Sequence, residues 1–411
     1  MVTQKLYTGK PISRKTAHER WEAFRPADRG QQDHPEGYLA SDELVAAANV
    51  ALELGMPLLL TGEPGCGKSR LADSLAWELG LPTRWDKSSF DAGSRHLTSP
   101  IEFVVKSETE GRDLFYRFDT LGQFHAANRV VPVATLDPDK TDPQQPGGTT
   151  VQGPDQPPVV IDHTRIVMSD IDPRRYVRYQ GLGLAILLAK GRDGIPPELM
   201  TDSERRRFPV APCRSVVLID EIDKAPRDVP NDLLTEIENQ RFTVPELNHE
   251  GFIELTEAER AYRPIVLITS NSERELPPAF LRRCVYFHLG LPPFADKGST
   301  VPRYSVEAIV EQRLGKAFQN HRNLFGQAIS WFRYLRDDDR KRLSHPVSLA
   351  EFLDWLRSLS VRMPEASGAS LESHPDFKQN FSSLIKNKND QAELAALLED
   401  WQRTVKESAR D

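Results

Sequence analysis

The sequence predicts an α/β fold organised on a parallel sheet, and three observations predict it. A glycine-rich loop lies between a short apolar strand and an amphipathic helix. Two later strands are apolar along their whole length, as strands covered on both faces must be. Acidic and amide residues stand at the ends of those strands, where ligands of open α/β sheets collect.

The loop reads Gly62-Glu63-Pro64-Gly65-Cys66-Gly67-Lys68-Ser69, with the spacing G-x-x-x-x-G-K-S. Gly62, Gly65 and Gly67 permit turns that aim successive N–H groups at phosphate oxygens. Lys68 supplies a flexible cation for the β- and γ-phosphates, and Ser69 a hydroxyl for Mg²⁺. The helix that starts here adds the positive end of its dipole. Glu63, Pro64, Cys66 and Arg70 frame these groups and complete the expected nucleotide-contact set.

Residues 1–36 are polar and poor in periodic apolar positions, which predicts an extension with little core of its own. From Ser41 or Asp42 as a cap, Leu44, Val45, Ala48 and Leu52 repeat at helical spacing. Tyr38 and Leu39, on the approach to that helix, are assigned to core packing, with adenine contact as the alternative. Met56–Leu60 is the strand entering the loop. Leu71, Ala72, Leu75, Ala76 and Leu79 form the apolar stripe of the helix after it, stopped by Gly80 and Pro82. Thr83–Ser88 is expected as a second strand and Leu114–Asp119 as a third alternating run, followed by a helix carrying Leu121, Phe124 and Ala127. Residues 137–158 are dense in Pro, Gly, Gln, Asp and Thr and predict a mobile surface insertion. Gly181–Ala189 is apolar but short, the pattern of a buried helix.

The strand Ser215–Ile219 runs without polar interruption into Asp220 and Glu221. Asp220 is expected to hold Mg²⁺ through its water shell and Glu221 to act as base on the attacking water. A helix over Asn231–Glu238 comes next, then two expected strands, Arg241–Leu247 and Phe252–Leu255, around the turn 248–251. A second apolar strand, Pro264–Ser270, ends in Asn271, whose amide suits orientation of the water between Glu221 and the γ-phosphate. Arg282 and Arg283 precede a last strand, Val285–Leu289.

Length and composition bound the rest. With 411 residues the chain can bury a large core and a smaller second one. Its 39% hydrophobic and 27% charged content is ordinary for a globular protein. No apolar run approaches a membrane span, and the first residues lack the apolar core of a secretory signal. Cys66, Cys213 and Cys284 are dispersed, which suits a reducing cytoplasm and gives no metal-ligand spacing. A net charge of −7 argues against a chain-wide footprint for nucleic acid while leaving room for a local basic channel.

Taken in order, these stretches resemble the AAA+ ATPases, and within them the MoxR-like group. Gly62 to Ser69 matches the family's Walker A, Val216 to Glu221 its Walker B, Asn271 its sensor 1, and Arg241 to Leu255 the hairpin before sensor 1. Leu218 to Ala225 and Ser270 to Arg283 are similar to members found beside bacterial defence genes. The resemblance covers roughly residues 37–360. It implies a P-loop αβα sandwich with a five-stranded parallel sheet over 37–292 and a helical lid with further helices over 293–411. It also implies ATP and Mg²⁺ as ligands, a self-assembled ring, often a hexamer, and a client protein. In such rings an arginine reaches the neighbour's nucleotide; Arg283 matches best and Arg282 is the second choice, a guanidinium fork being suited to phosphate oxygens. Where relatives carry a sensor 2 arginine, this chain reads Ser344-His345-Pro346-Val347-Ser348, so that step lacks its cation. Three readings follow: a remodelling ATPase, a nucleotide-gated scaffold with slow hydrolysis, and, disfavoured by charge, a nucleic-acid translocase subunit.

The expected lid is visible as pattern too. Ser348 with Glu351 makes a capping box ahead of the stripe Leu349, Phe352, Leu353 and Leu356. Leu324, Phe325, Ala328, Ile329 and Phe332 form another stripe, and Leu394, Leu397, Leu398, Trp401 and Val405 a third.

Overall fold

The strand entering the glycine-rich loop and the two wholly apolar strands lie side by side in one parallel sheet. The computed structural model describes residues 34–86, 97–127, 148–151, 159–162, 172–247, 249, 251–296, 300–336, 343–360, 371, 377 and 381–407. The sheet contains β1 (Leu58–Thr61), β2 (Ile101–Val104), β3 (Val216–Asp220), β4 (Ile265–Ser270) and β5 (Val285–His288), in the spatial order β2-β3-β4-β1-β5. All four pairings are parallel. The acid-bearing β3 is thus separated from the loop-bearing β1 by β4, and all three strands release their chain at the same edge.

Side-chain alternation divides the core in two. Leu59, Val217, Ile219, Val266 and Ile268 join one apolar cluster, and Leu58, Leu60, Val216, Leu218 and Leu267 join the other. Successive strand residues face opposite sides, so an uninterrupted apolar strand serves two cores at once. On one side lie α1 (Asp42–Leu54) and α2 (Lys68–Glu78); on the other lies α3 (Gly181–Gly194), buried along most of its length. Ser41 caps α1 by accepting from Leu44 N–H, and Gly55 ends it at φ 62°.

Four expectations differ. Thr83 makes one bridge to Ser99 and then turns through Asp86, whose carboxylate takes the Thr83 N–H at 2.7 Å; no strand forms over the described part of Thr83–Ser88. The second sheet strand is Ile101–Val104, an edge with alternating burial. Tyr116–Phe118 pairs antiparallel with Val177–Tyr179 in a separate ribbon, away from the main sheet. The expected hairpin over Arg241–Leu255 is reduced to one antiparallel bridge, Phe242 with Ile253, because Pro245 opens a 3-10 turn that leaves the ladder. Within 137–158, Gly148–Val151 pairs with Val159–Asp162, so part of the expected irregular insertion is a strand. The rest of that insertion, Lys87–Ser88 and residues 1–33 lie outside the described residues.

The C-terminal region is helical: α4 (Val306–Leu314), α5 (Arg322–Leu335), α6 (Leu349–Ser360) and α7 (Leu394–Glu407) are its longer helices. It holds its own apolar cluster, with Trp331, Phe332, Phe352 and Trp355 each fully buried. Phe332 and Phe352 stack at 4.2 Å between ring centroids. Ser348 and Glu351 form the expected reciprocal box at the start of α6. Among the described residues no helix is long and apolar enough to cross a membrane.

Candidate functional site

The loop after β1 needs its glycines for space as well as for angle. Gly62 sits at φ 146°, and a Cβ there would come within 2.1 Å of the Leu289 carbonyl. Gly67, at φ 101°, starts α2 without a side-chain cap, leaving the first N–H groups of that helix for a ligand. Lys68 is buried, and its Nζ donates to the Gly62 and Glu63 carbonyls at 2.7 and 3.0 Å. Those bonds curl the loop round the ammonium in the space an anionic group would share.

The acid pair meets the loop. Ser69 Oγ donates to Asp220 Oδ1 at 2.9 Å, and the same oxygen accepts from Thr269 Oγ1 on β4. Thr269 Oγ1 also accepts the Glu221 N–H at 2.9 Å, so one threonine sets the position of both acids. Asn271 Nδ2 donates to Glu221 Oε1 at 3.2 Å. Asp223, buried under this turn, accepts the N–H groups of Asn271 and Glu273 and pins the two strand ends together. Glu221 has φ 61° and ψ 49°, a left-handed conformation that a side chain seldom adopts and that these neighbours over-determine.

The donor set fits Mg²⁺: hard oxygens on Ser69 and Asp220, and room for phosphate and water to supply the other positions. Among the described residues no cluster of three or more His, Cys, Asp or Glu makes a self-contained cage. A metal that keeps several waters needs none.

A cavity of about 210 Å³ adjoins the loop, lined by Tyr38, Leu39, Gly67, Tyr304, Ile309 and Leu353 among others. Burial pushes both tyrosine phenols up, Tyr304 to about 12 with help from nearby Cys66 and Glu43, so both present neutral walls. Tyr38 packs on the apolar cluster, as assigned, and also lines the cavity. Arg70, Arg313 and Arg357 add cations to the lining.

The C-terminal helices touch the loop directly. The Ala350 N–H donates to the Gly65 carbonyl at 3.2 Å, and Arg336 pairs with Glu63 at 3.0 Å. Arg336 is 9% exposed, and its Nε and Nη1 have no hydrogen-bond partner among the described residues. Val347, by contrast, is buried in the helical core. Arg282 and Arg283 lie at the opposite end of the sheet from the loop, ahead of β5, where Arg283 pairs with Glu238 at 3.1 Å. The structure brings neither to Glu221 of the same chain.

Sequence reading missed Thr269, Tyr304, Arg313, Arg336 and Arg357. Thr269 left a signal, a polar residue closing an apolar strand two positions before Asn271. The arginines left none, since only folding brings their helices to the loop.

Residues 198–284, from ahead of β3 to the start of β5, match the family model described as an AAA domain of the dynein-related subfamily. Protein CbbQ of Allochromatium vinosum is 40% identical over 50 residues, which are 12% of this chain and 68% of that protein. A closed-state cryo-electron-microscopy reconstruction of Hsp104 with ATPγS and FITC-casein is similar over 83% of this chain, with 15% identity and a TM-score of 0.35. The chain spans about half, 48%, of the length of that Hsp104 chain.

Proposed function

Because the chain belongs to the AAA+ ATPases of MoxR-like type, we propose that it binds and hydrolyses ATP with Mg²⁺ and uses the cycle to rearrange a partner protein from within a ring of its own copies. The observation that carries this reading is the 2.9 Å bond from Ser69 to Asp220, which closes the loop onto the acid pair across 151 residues of sequence.

On this reading ATP's phosphates lie on the N–H groups of the loop, and Lys68 exchanges the carbonyls of Gly62 and Glu63 for phosphate oxygens. Ser69 and Asp220 hold the metal, which when bound draws charge from the phosphates. Glu221 takes the proton of the attacking water, and Asn271 orients that water through its bond to Glu221. Tyr38 and Leu353 border the base, with Arg313 and Arg357 beside it. Arg283, or failing it Arg282, lies far enough from its own loop to serve a neighbouring copy. Residues 37–292 form the ATPase core and 293–411 the lid and C-terminal helices.

Glu221→Gln is expected to keep ATP bound while turnover falls by about 10²- to 10⁴-fold. Steady-state hydrolysis and filter binding of ATP on the purified variant check this; unchanged turnover refutes the base.

A second reading, a nucleotide-gated scaffold with slow hydrolysis, is favoured by Val347, an apolar residue buried at the step where relatives place a cation. Partner binding that is equal in a non-hydrolysable analogue and during turnover would select it.

A further inference from the structure

Where the sheet strands begin, at the opposite end from the phosphate loop, the end of α1 and the starts of β3 and β4 border a second cavity. Its volume is about 340 Å³, within the range of pockets that take small ligands. Arg214, Arg260 and Arg263 line it, and the one acid of the lining, Glu53, is exposed.

These arginines are short of counter-charge. Arg263 donates to the Glu238 carbonyl at 2.9 Å, and Arg214 to that of Ala261. Neither makes an ion pair among the described residues, and the nearby Glu238 carboxylate goes to Arg283 at 3.1 Å. Arg260 pairs with Glu257, an exposed residue. Burial, and after it the charge of Arg260, pulls the Arg263 guanidinium below its ordinary range, against the opposite pull of Glu238. A cation so placed gains from an anion brought beside it. A Cβ on Gly55 would come within 2.9 Å of Arg263 Nη1, so the glycine that closes α1 also makes room for the guanidinium.

Gln240 supplies the opposite chemistry. It lines the same cavity and is 3% exposed, and its Nε2 donates to the Pro264 carbonyl at 3.0 Å. Its Oε1 is buried with no hydrogen-bond partner among the described residues. A buried acceptor of that kind calls for a donor. Leu52, Leu54, Met56 and Leu79 make much of the remaining lining aliphatic.

We propose that this cavity binds an α-acylamino carboxylate with an aliphatic side chain, the chemistry of a peptide's last residue. The carboxylate meets the guanidinium forks of Arg263 and Arg214, the amide N–H donates to Gln240 Oε1, and the side chain lies on Leu52 and Leu79.

The test is a nuclear magnetic resonance titration of N-acetyl-leucine into the full chain, where saturable binding with a Kd of about 0.1–1 mM is expected. N-acetyl-leucinamide, which lacks the carboxylate, should not bind measurably. 4-Methylpentanoate, which lacks the N–H, should bind about tenfold more weakly. Arg263→Met should weaken N-acetyl-leucine about 30-fold and Arg214→Met about fivefold, with circular dichroism confirming that each is folded. Tighter binding of acetyl-alanyl-alanyl-leucine would identify a protein terminus as the natural ligand, and equal binding a free acylamino acid. Absence of saturable binding overturns the proposal, as does binding unchanged in both folded arginine variants. Equal binding of the amide, or of 4-methylpentanoate, overturns it as well, since either removes a contact that defines the site. Lys68→Ala should leave this binding unchanged, so the outcome is independent of the reading of the phosphate loop.

Discussion

At the phosphate end of the sheet, Lys68, Ser69, Asp220, Glu221 and Asn271 each stand at a strand end or within a few residues of one. In the helical region, the arginines that approach the same loop and cavity, Arg313, Arg336 and Arg357, come from α4, the end of α5 and α6. The first set is fixed by backbone hydrogen bonding between adjacent parallel strands, which leaves little choice once the strands pair. The second is fixed by how stacked rings such as Phe332 and Phe352 seat one helix on another. Chemistry written in short contiguous motifs tolerates change around it, whereas chemistry assembled by packing inherits every change in the packing.

The largest expected effect separates the two regions. Phe352→Ala removes a fully buried ring and should destabilise the helical cluster by about 3–5 kcal/mol. Amide hydrogen exchange should show protection lost over 306–407 and kept in β1, β3 and β4; equal loss in both would make them one cooperative unit and end the contrast.

Lys68→Ala should come next. It removes the buried ammonium that curls the loop, and ATP affinity by calorimetry should fall about 100-fold, with the melting temperature of the free protein little changed. A variant that still binds ATP within about threefold would show that the loop's N–H groups suffice.

Arg336→Ala should be smaller, about tenfold in ATP affinity, because its one ion pair among the described residues is to Glu63, which is half exposed. An effect as large as that of Lys68→Ala would erase the distinction between motif-built and packing-built cations.

The smallest effect is kinetic. Burial pushes the Cys66 thiol up and the Cys284 thiol up to about 12. Since the thiolate is the reactive form, iodoacetamide should label neither appreciably near pH 7, and Cys66 should gain rate before Cys284 as pH rises. By the same raised pKa, Cys284 favours the folded state below the ordinary thiol range, and that contribution is lost as pH climbs towards 12. Fast labelling of Cys284 at neutral pH would mean that the β5 end of the sheet opens readily.

How much of this was legible follows the same division. The loop, β1, β3 and β4 could be read because each is a run with an unmistakable apolar or glycine pattern. β2 could not, since Ile101-Glu102-Phe103-Val104 offers one alternation over four residues, while Thr83–Ser88 looked equally extended and, over Thr83–Asp86, turns instead. Pro245 left the hairpin with a single bridge, a loss that follows from proline's missing N–H and could have been foreseen. Asn271 beside Glu221 was readable from strand ends alone; Arg336 beside Glu63 needed 273 residues of chain to be folded first.

Gly65 has a mechanical consequence. Its carbonyl takes the Ala350 N–H, and a Cβ on it would press within 2.9 Å of Ser348 Oγ. The first turn of α6 therefore rests on a single peptide plane of the loop, with no slack between them. A 12-residue helix is a rigid arm about 18 Å long. Any tilt imparted to its foot at Gly65 is therefore carried along the arm into the apolar cluster that buries Phe352, Trp355 and Leu359, so the loop and the helical core cannot shift independently.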